Sequence, residues 1–108
     1  MVIIWRPEAH EALKSIYDFY LGIEEKVARK ILTAILEAVD RLSVFPEMAP
    51  VEQLLIGEPE EFRSIVAHEL FKVVYAIDKT GEKIVIVDIW DCRRDPVELC
   101  ESVQKKQK

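Results

Sequence analysis

A chain of 108 residues, half of them hydrophobic and about a third charged, has room for one core and one domain spanning 1–108. Its apolar runs last only a few residues, which excludes a membrane span, and its net charge of −5 argues against a general nucleic-acid binder. The charge is uneven: residues 1–61 carry 6 basic against 12 acidic groups and residues 62–108 carry 9 against 8, so an anionic partner is best received by the C-terminal half.

Val2-Ile3-Ile4-Trp5 reads as an opening strand, too short for the apolar region of a signal peptide, and a cytoplasmic location is the expectation. Pro7 and Glu8 suit the first turn of a helix, and Ala9, Ala12, Leu13, Ile16, Tyr17 and Tyr20 recur at helical spacing up to Gly22. A second helix from about Glu24 to Ser43 carries Val27, Ile31, Ile35, Ala38 and Leu42 as its stripe. With only a few residues between them, the two helices must fold back on each other.

Phe45-Pro46 ends the hairpin. The stretch to Glu61 holds Glu47, Glu52, Glu58, Glu60 and Glu61 with no basic residue, and reads as a solvated loop. The period then changes to strands at Phe62–Ala67, Leu70–Asp78 and Lys83–Asp91, joined by short turns at His68-Glu69 and Lys79–Glu82. Val97–Lys108 reads as a short C-terminal helix or tail. The predicted order is β-α-α-β-β-β, an α+β domain with an antiparallel sheet and the helical hairpin on one face.

Alternation places Phe71, Val73, Tyr75 and Ile77 toward the helices, with Lys72, Val74 and Ala76 on the other face. Arg63 is expected to join Lys72 there. Val74 and Ile86 make that second face apolar, and Trp90, Arg93 and Arg94 stand at the end of the last strand. An open face with an unpaired edge invites a partner. Cys92 and Cys100 lack a C-x-x-C spacing and read as free thiols. His10-Glu11 has no second histidine four residues on, so neither a metal nor a cofactor is expected.

In this order and spacing, Trp5…Ala9…Leu13…Ile16…Tyr20, Ala28…Ile31…Ile35…Leu42…Phe45-Pro46, Phe62-Arg63-Ser64-Ile65-Val66, Phe71-Lys72-Val73-Val74-Tyr75-Ala76-Ile77 and Ile86-Val87-Asp88-Ile89-Trp90-Asp91-Cys92-Arg93-Arg94-Asp95-Pro96 resemble the RelE/ParE superfamily of type II toxin–antitoxin toxins. The resemblance covers nearly the whole chain and looks most like the ParE-like branch. It implies a toxin neutralised by a cognate antitoxin. The target it implies is DNA gyrase or, alternatively, the ribosome and its mRNA; a non-toxic interaction module on the same fold is a third reading.

The ribonuclease alternative needs cations for the phosphorane charge, a base and an acid. Arg63, Lys72 and Arg93 match basic active-site positions of the RelE branch, and Glu52 loosely resembles the loop base of the YoeB-like branch. Ile65 stands where a further basic residue would be, and no tyrosine or histidine follows the arginine pair. Poisoning a protein target needs only a complementary surface. The residues expected to meet antitoxin or target are Arg63, Lys72, Val74, Ile86, Trp90, Arg93 and Arg94.

Overall fold

Residues 1–80 and 82–93, with Leu99 and Val103, are described by a computed structural model. Proline disfavours a helical conformation in the residue before it. Arg6 is accordingly extended at φ −67°, ψ 148°, which ends strand β1 (Val2–Trp5) and turns the chain into helix α1 (Pro7–Leu21). Glu8 lies in the first turn, where the helix dipole favours an anion. Ile23 and Glu24 both donate their amides to the Tyr20 carbonyl, closing the tight connection to α2 (Glu25–Val44). That helix buries Ala28, Ile31, Ile35, Ala38, Val39 and Leu42, a stripe at the three- and four-residue spacing of one helix face.

Strands β2 (Phe62–Ala67), β3 (Phe71–Asp78) and β4 (Lys83–Asp91) form the expected antiparallel meander. The sheet as a whole is mixed, in the order β1-β4-β3-β2, because β1 pairs parallel to β4 from Val2↔Lys83 to Trp5↔Ile86. The expectation of a purely antiparallel sheet is corrected on this point. A parallel partner some 80 residues away leaves no turn signal in the sequence.

Two cores lie on the two faces of the sheet. On the helix side Ile31, Ile35 and Leu42 pack with Phe71, Val73, Tyr75, Ile84, Ile86 and Ile89. On the other side Phe62, Val74, Ala76, Val87 and Trp90 pack with Leu55, Leu99 and Val103. Leu99 and Val103 are helical and buried, one helical turn apart; the rest of the expected helix or tail at 97–108 lies outside the described residues. The second face was expected to stand open. Its centre is instead covered by the chain's own Leu55, Leu99 and Val103.

The placement of Ile86 on that second face is likewise overturned. Val74 pairs with Asp88 and Tyr75 with Ile86, so Val87 is an extra residue in β4. A bulge of this kind reverses the alternation along its strand. Ile84 and Ile86 therefore join the helix-side core before it and Ile89 after it, with Val87 and Trp90 opposite.

The segment after α2 is not a simple solvated loop. Glu52 donates its amide to the Phe62 carbonyl, Pro50 accepts from the Ser64 amide, and Val51 bridges Arg63, so residues 50–52 line part of the outer edge of β2. The Tyr75 hydroxyl donates to the Pro46 carbonyl at 2.7 Å, tying the end of α2 to the middle of the sheet. Among the described residues no helix is long and apolar enough to cross a membrane.

Two stability tests follow from these contacts. His68 and Glu69, in the β2–β3 turn, have φ of 50° and 35°, a left-handed conformation costly to residues with a Cβ. The exchange His68→Asn/Glu69→Gly should raise stability by about 1–2 kcal/mol, seen as an increase in Tm of roughly 4–8 °C per kcal/mol. An unchanged or lowered Tm would show that the turn is not strained. Burial pushes the Tyr75 hydroxyl above its ordinary value of 10, against an opposing pull from Arg63. The native chain then keeps a proton that the unfolded chain releases, so this contribution is complete below pH 10 and is lost as pH climbs through the folded value. Denaturant titrations above pH 10 should show a shallower loss of stability for Tyr75→Phe than for the parent.

Candidate functional site

Alternation on β3 puts Lys72 on the face away from the helices, opposite Val66 of β2 and Trp90 of β4. Its Nζ donates to Glu52 Oε1 at 2.8 Å. The Glu52 side chain is only 3% exposed and that of Lys72 31%. A carboxylate this deep is costly unless a cation and hydrogen bonds compensate it, and Lys72 supplies both. The pair lines a groove of about 690 Å³ between residues 48–54 and β2, walled by Met48, Leu54 and Val66. Cys92 lies close enough to feel both charges. Burial pushes its thiol up, Lys72 pulls it down, and Asp91 and Glu52 raise it further.

Arg63 is not beside Lys72. It sits directly across from Tyr75, whose ring belongs to the helix-side core, so the expectation that Arg63 shares the Lys72 face is corrected. The error follows from counting alternation without the β2–β3 register. Its Nη1 donates to the Ala49 carbonyl at 2.6 Å and its Nη2 to Glu61 at 3.1 Å, holding the loop that edges β2. Arg63 also lines a cleft of about 530 Å³ at the end of the sheet with Arg6, Lys79, Glu47, Glu60 and Asp78. Among the described residues, Arg6 Nη1 is buried there without a hydrogen-bond partner.

Arg93 occupies a third place, at the edge where α1 meets the end of β4. Its Nε and Nη2 donate to the two Asp91 carboxylate oxygens at 2.9 and 2.7 Å, and Nη2 also donates to the Tyr20 hydroxyl at 2.9 Å. The bond to Asp91 first, and that to Tyr20 second, hold the guanidinium even more firmly protonated than usual. Tyr20 in turn meets Phe71 edge to face at 6.1 Å. Arg94 and Cys100 lie outside the described residues.

The three cations are therefore dispersed, each engaged with acceptors of this chain. Val74 and Ile86 are fully buried on opposite faces and Trp90 is 1% exposed, so none of the three forms an open apolar patch. The Trp90 indole donates to Asp88 Oδ2 at 3.1 Å, while Asp88 Oδ1 accepts the Ile89 amide at 2.9 Å. Asp88 went unremarked in the sequence. A lone acid inside the apolar run Ile84–Trp90 was its one signal, and its partners depend on the bulge. Among the described residues no group of three His, Cys, Asp or Glu side chains is placed to hold a metal ion.

This arrangement of helical hairpin, mixed sheet and dispersed cations can be set beside known proteins. The sequence model of the family described as ParE toxin of type II toxin-antitoxin system, parDE, matches residues 3–96. The chain belongs to the ParE toxin family. A solved structure described as the chromosomal ParDE TA system from P. aeruginosa is similar at a TM-score of 0.65 and 25% identity, covering 82% of this chain and 92% of that one. No curated protein matches the sequence. The ParE family is also the branch that the sequence most resembled, and its toxin character is thereby established for this chain. The parDE pairing in both descriptions implies an antitoxin as its partner.

The Lys72–Glu52 pair can be tested by a double-mutant cycle. Lys72→Ala should cost about 2 kcal/mol, below the full cost of breaking a buried pair because Lys72 is partly solvated. Neutralising the partner in Lys72→Ala/Glu52→Gln should recover at least half of that loss. Urea unfolding measures both, and additive effects would mean that the two groups are not coupled.

Proposed function

We propose that this ParE-family toxin inhibits growth by docking on a protein target, with DNA gyrase as the specific candidate, rather than by cutting RNA. The observation that carries this reading is the dispersal of Arg63, Lys72 and Arg93. Stabilising a phosphorane needs several donors converging within hydrogen-bond reach of one phosphate. Here one guanidinium holds a loop carbonyl, the ammonium neutralises a buried carboxylate, and the other guanidinium grips Asp91. Those bonds hold the three groups in separate places, so they do not converge on one phosphate.

The net charge of −5 supports the same reading, since a toxin that docks among ribosomal phosphates gains from a positive field. A protein surface makes no such demand. Neutralisation by a cognate antitoxin and action in the cytoplasm, where gyrase works, complete the proposal.

Induced expression of the chain, with purified gyrase assayed alongside, tests it. The expected outcome is loss of supercoiling activity with a DNA-damage response and filamentous cells, while messenger RNAs stay full length. Codon-positioned cuts in messages, with gyrase unaffected, would overturn it in favour of the ribonuclease alternative.

A further inference from the structure

Helix α2 ends in an exposed apolar cluster that the toxin's own core does not use. Proline disfavours a helical conformation in the residue before it, so Pro46 stops the helix at Phe45, with φ −127° and ψ 75°. Val44 is left 67% exposed, Phe45 64% and Met48 49%. With Pro46 and Glu47 they line a hollow of about 370 Å³. An aromatic ring left in water adds little to the stability of its own chain. Several apolar side chains exposed together mark a contact surface.

The cluster is also held still. The Phe45 amide donates to the Arg41 carbonyl at 2.9 Å, and the Met48 amide to the Phe45 carbonyl at 3.1 Å. Tyr75 anchors the Pro46 carbonyl and Arg63 that of Ala49. A side chain whose backbone is fixed beforehand loses less entropy when a partner covers it.

Charge tells what the cluster fits. Residues 44–61 hold five glutamates and no basic residue. Glu47 lines both the apolar hollow and the neighbouring cleft of about 530 Å³, whose other acids are Glu60, Glu61 and Asp78. Of the cations in that cleft, Arg6 is half-buried and Arg63 is engaged with Ala49 and Glu61. Lys79 reaches Glu47 at 3.6 Å in a solvated pair. What faces outward is an apolar centre with an acidic rim, and its complement is an apolar hollow bordered by lysine and arginine. An enzyme that holds DNA carries such basic borders, because phosphates demand them. A second copy of this chain would set acid against acid.

We infer that Phe45, with Val44 and Met48 inside a rim of Glu47, Glu60 and Glu61, forms the face that the toxin sets against gyrase, at an apolar hollow flanked by basic side chains. The inference rests on the reading of gyrase as the target. Phe45 is the anchor of the contact, while the carboxylates steer the approach and fix its orientation.

The experiment measures binding of the full chain to purified gyrase. Phe45→Ala should weaken it at least tenfold, as expected for a central aromatic anchor. Because Phe45 is exposed, this variant should melt within about 4 °C of the parent. Glu47→Lys/Glu60→Lys should weaken binding by about tenfold, chiefly through a slower association rate. Phe19, 63% exposed at the opposite end of the helical hairpin, is the control, and Phe19→Ala should bind within about twofold of the parent. Parent affinity should fall as salt rises.

Gyrase binding that survives Phe45→Ala would overturn the assignment and leave the gyrase reading standing. Binding indifferent to salt would overturn the role of the acidic rim, and that series decides the point even if the double charge reversal fails to fold. Loss of self-association or of antitoxin binding in Phe45→Ala, with gyrase binding kept, would give the surface to that other partner and overturn the inference. A parent chain that does not bind gyrase would remove the reading on which it rests.

Discussion

The extra residue in β4 governs how this sheet can be buried on both sides. Without Val87 as a bulge, Ile86 and Ile89 could not both face the helices while Trp90 faces away. Asp88 sits beside the bulge and accepts with both oxygens, one from the Ile89 amide, which lies past the end of the β1 pairing, and the other from the Trp90 indole. The carboxylate is buried at 4% exposure, so its bonds are made where water does not compete. The strand end that carries Arg93 is aimed by this device.

The same need to satisfy buried groups explains the fate of the basic residues. Arg63 fixes the loop through Ala49 and Lys72 neutralises Glu52; Arg93 is held between Asp91 and Tyr20. Because these bonds lie in three separate parts of the structure, a molecule that met all three cations at once would have to span both sides of the sheet. A docking protein is under no obligation to do so. It can use one edge or one groove, with the rest of the toxin as a rigid support.

Much of the fold was legible in the local pattern. The stripe of α2, Pro7 at the start of α1 and the two-fold alternation of β3 each act over a few residues, and each appears where the sequence placed it. The antiparallel meander follows from turns too short to permit anything else. The site was less legible. Lys72 was assigned to its true face because β3 alternates without interruption, whereas Arg63 and Ile86 were misassigned because their faces depend on register with another strand and on a bulge. Glu52 stood out only through its loose resemblance to a loop base, and its burial against Lys72 had no signal in the acidic stretch around it.

What the sequence determined by itself, then, is the periodic part: two amphipathic helices, three strands in a meander and a family resemblance spread along the chain. What only the tertiary structure decided is which side chains meet. The parallel seat of β1 on β4, the reversal at Val87, the closing of the second face by Leu55, Leu99 and Val103, and the burial of Glu52 against Lys72 all join residues far apart in the chain. Periodicity reports the environment of a residue averaged over one element. Contacts between elements depend on register, and register is fixed by the packing of the whole chain.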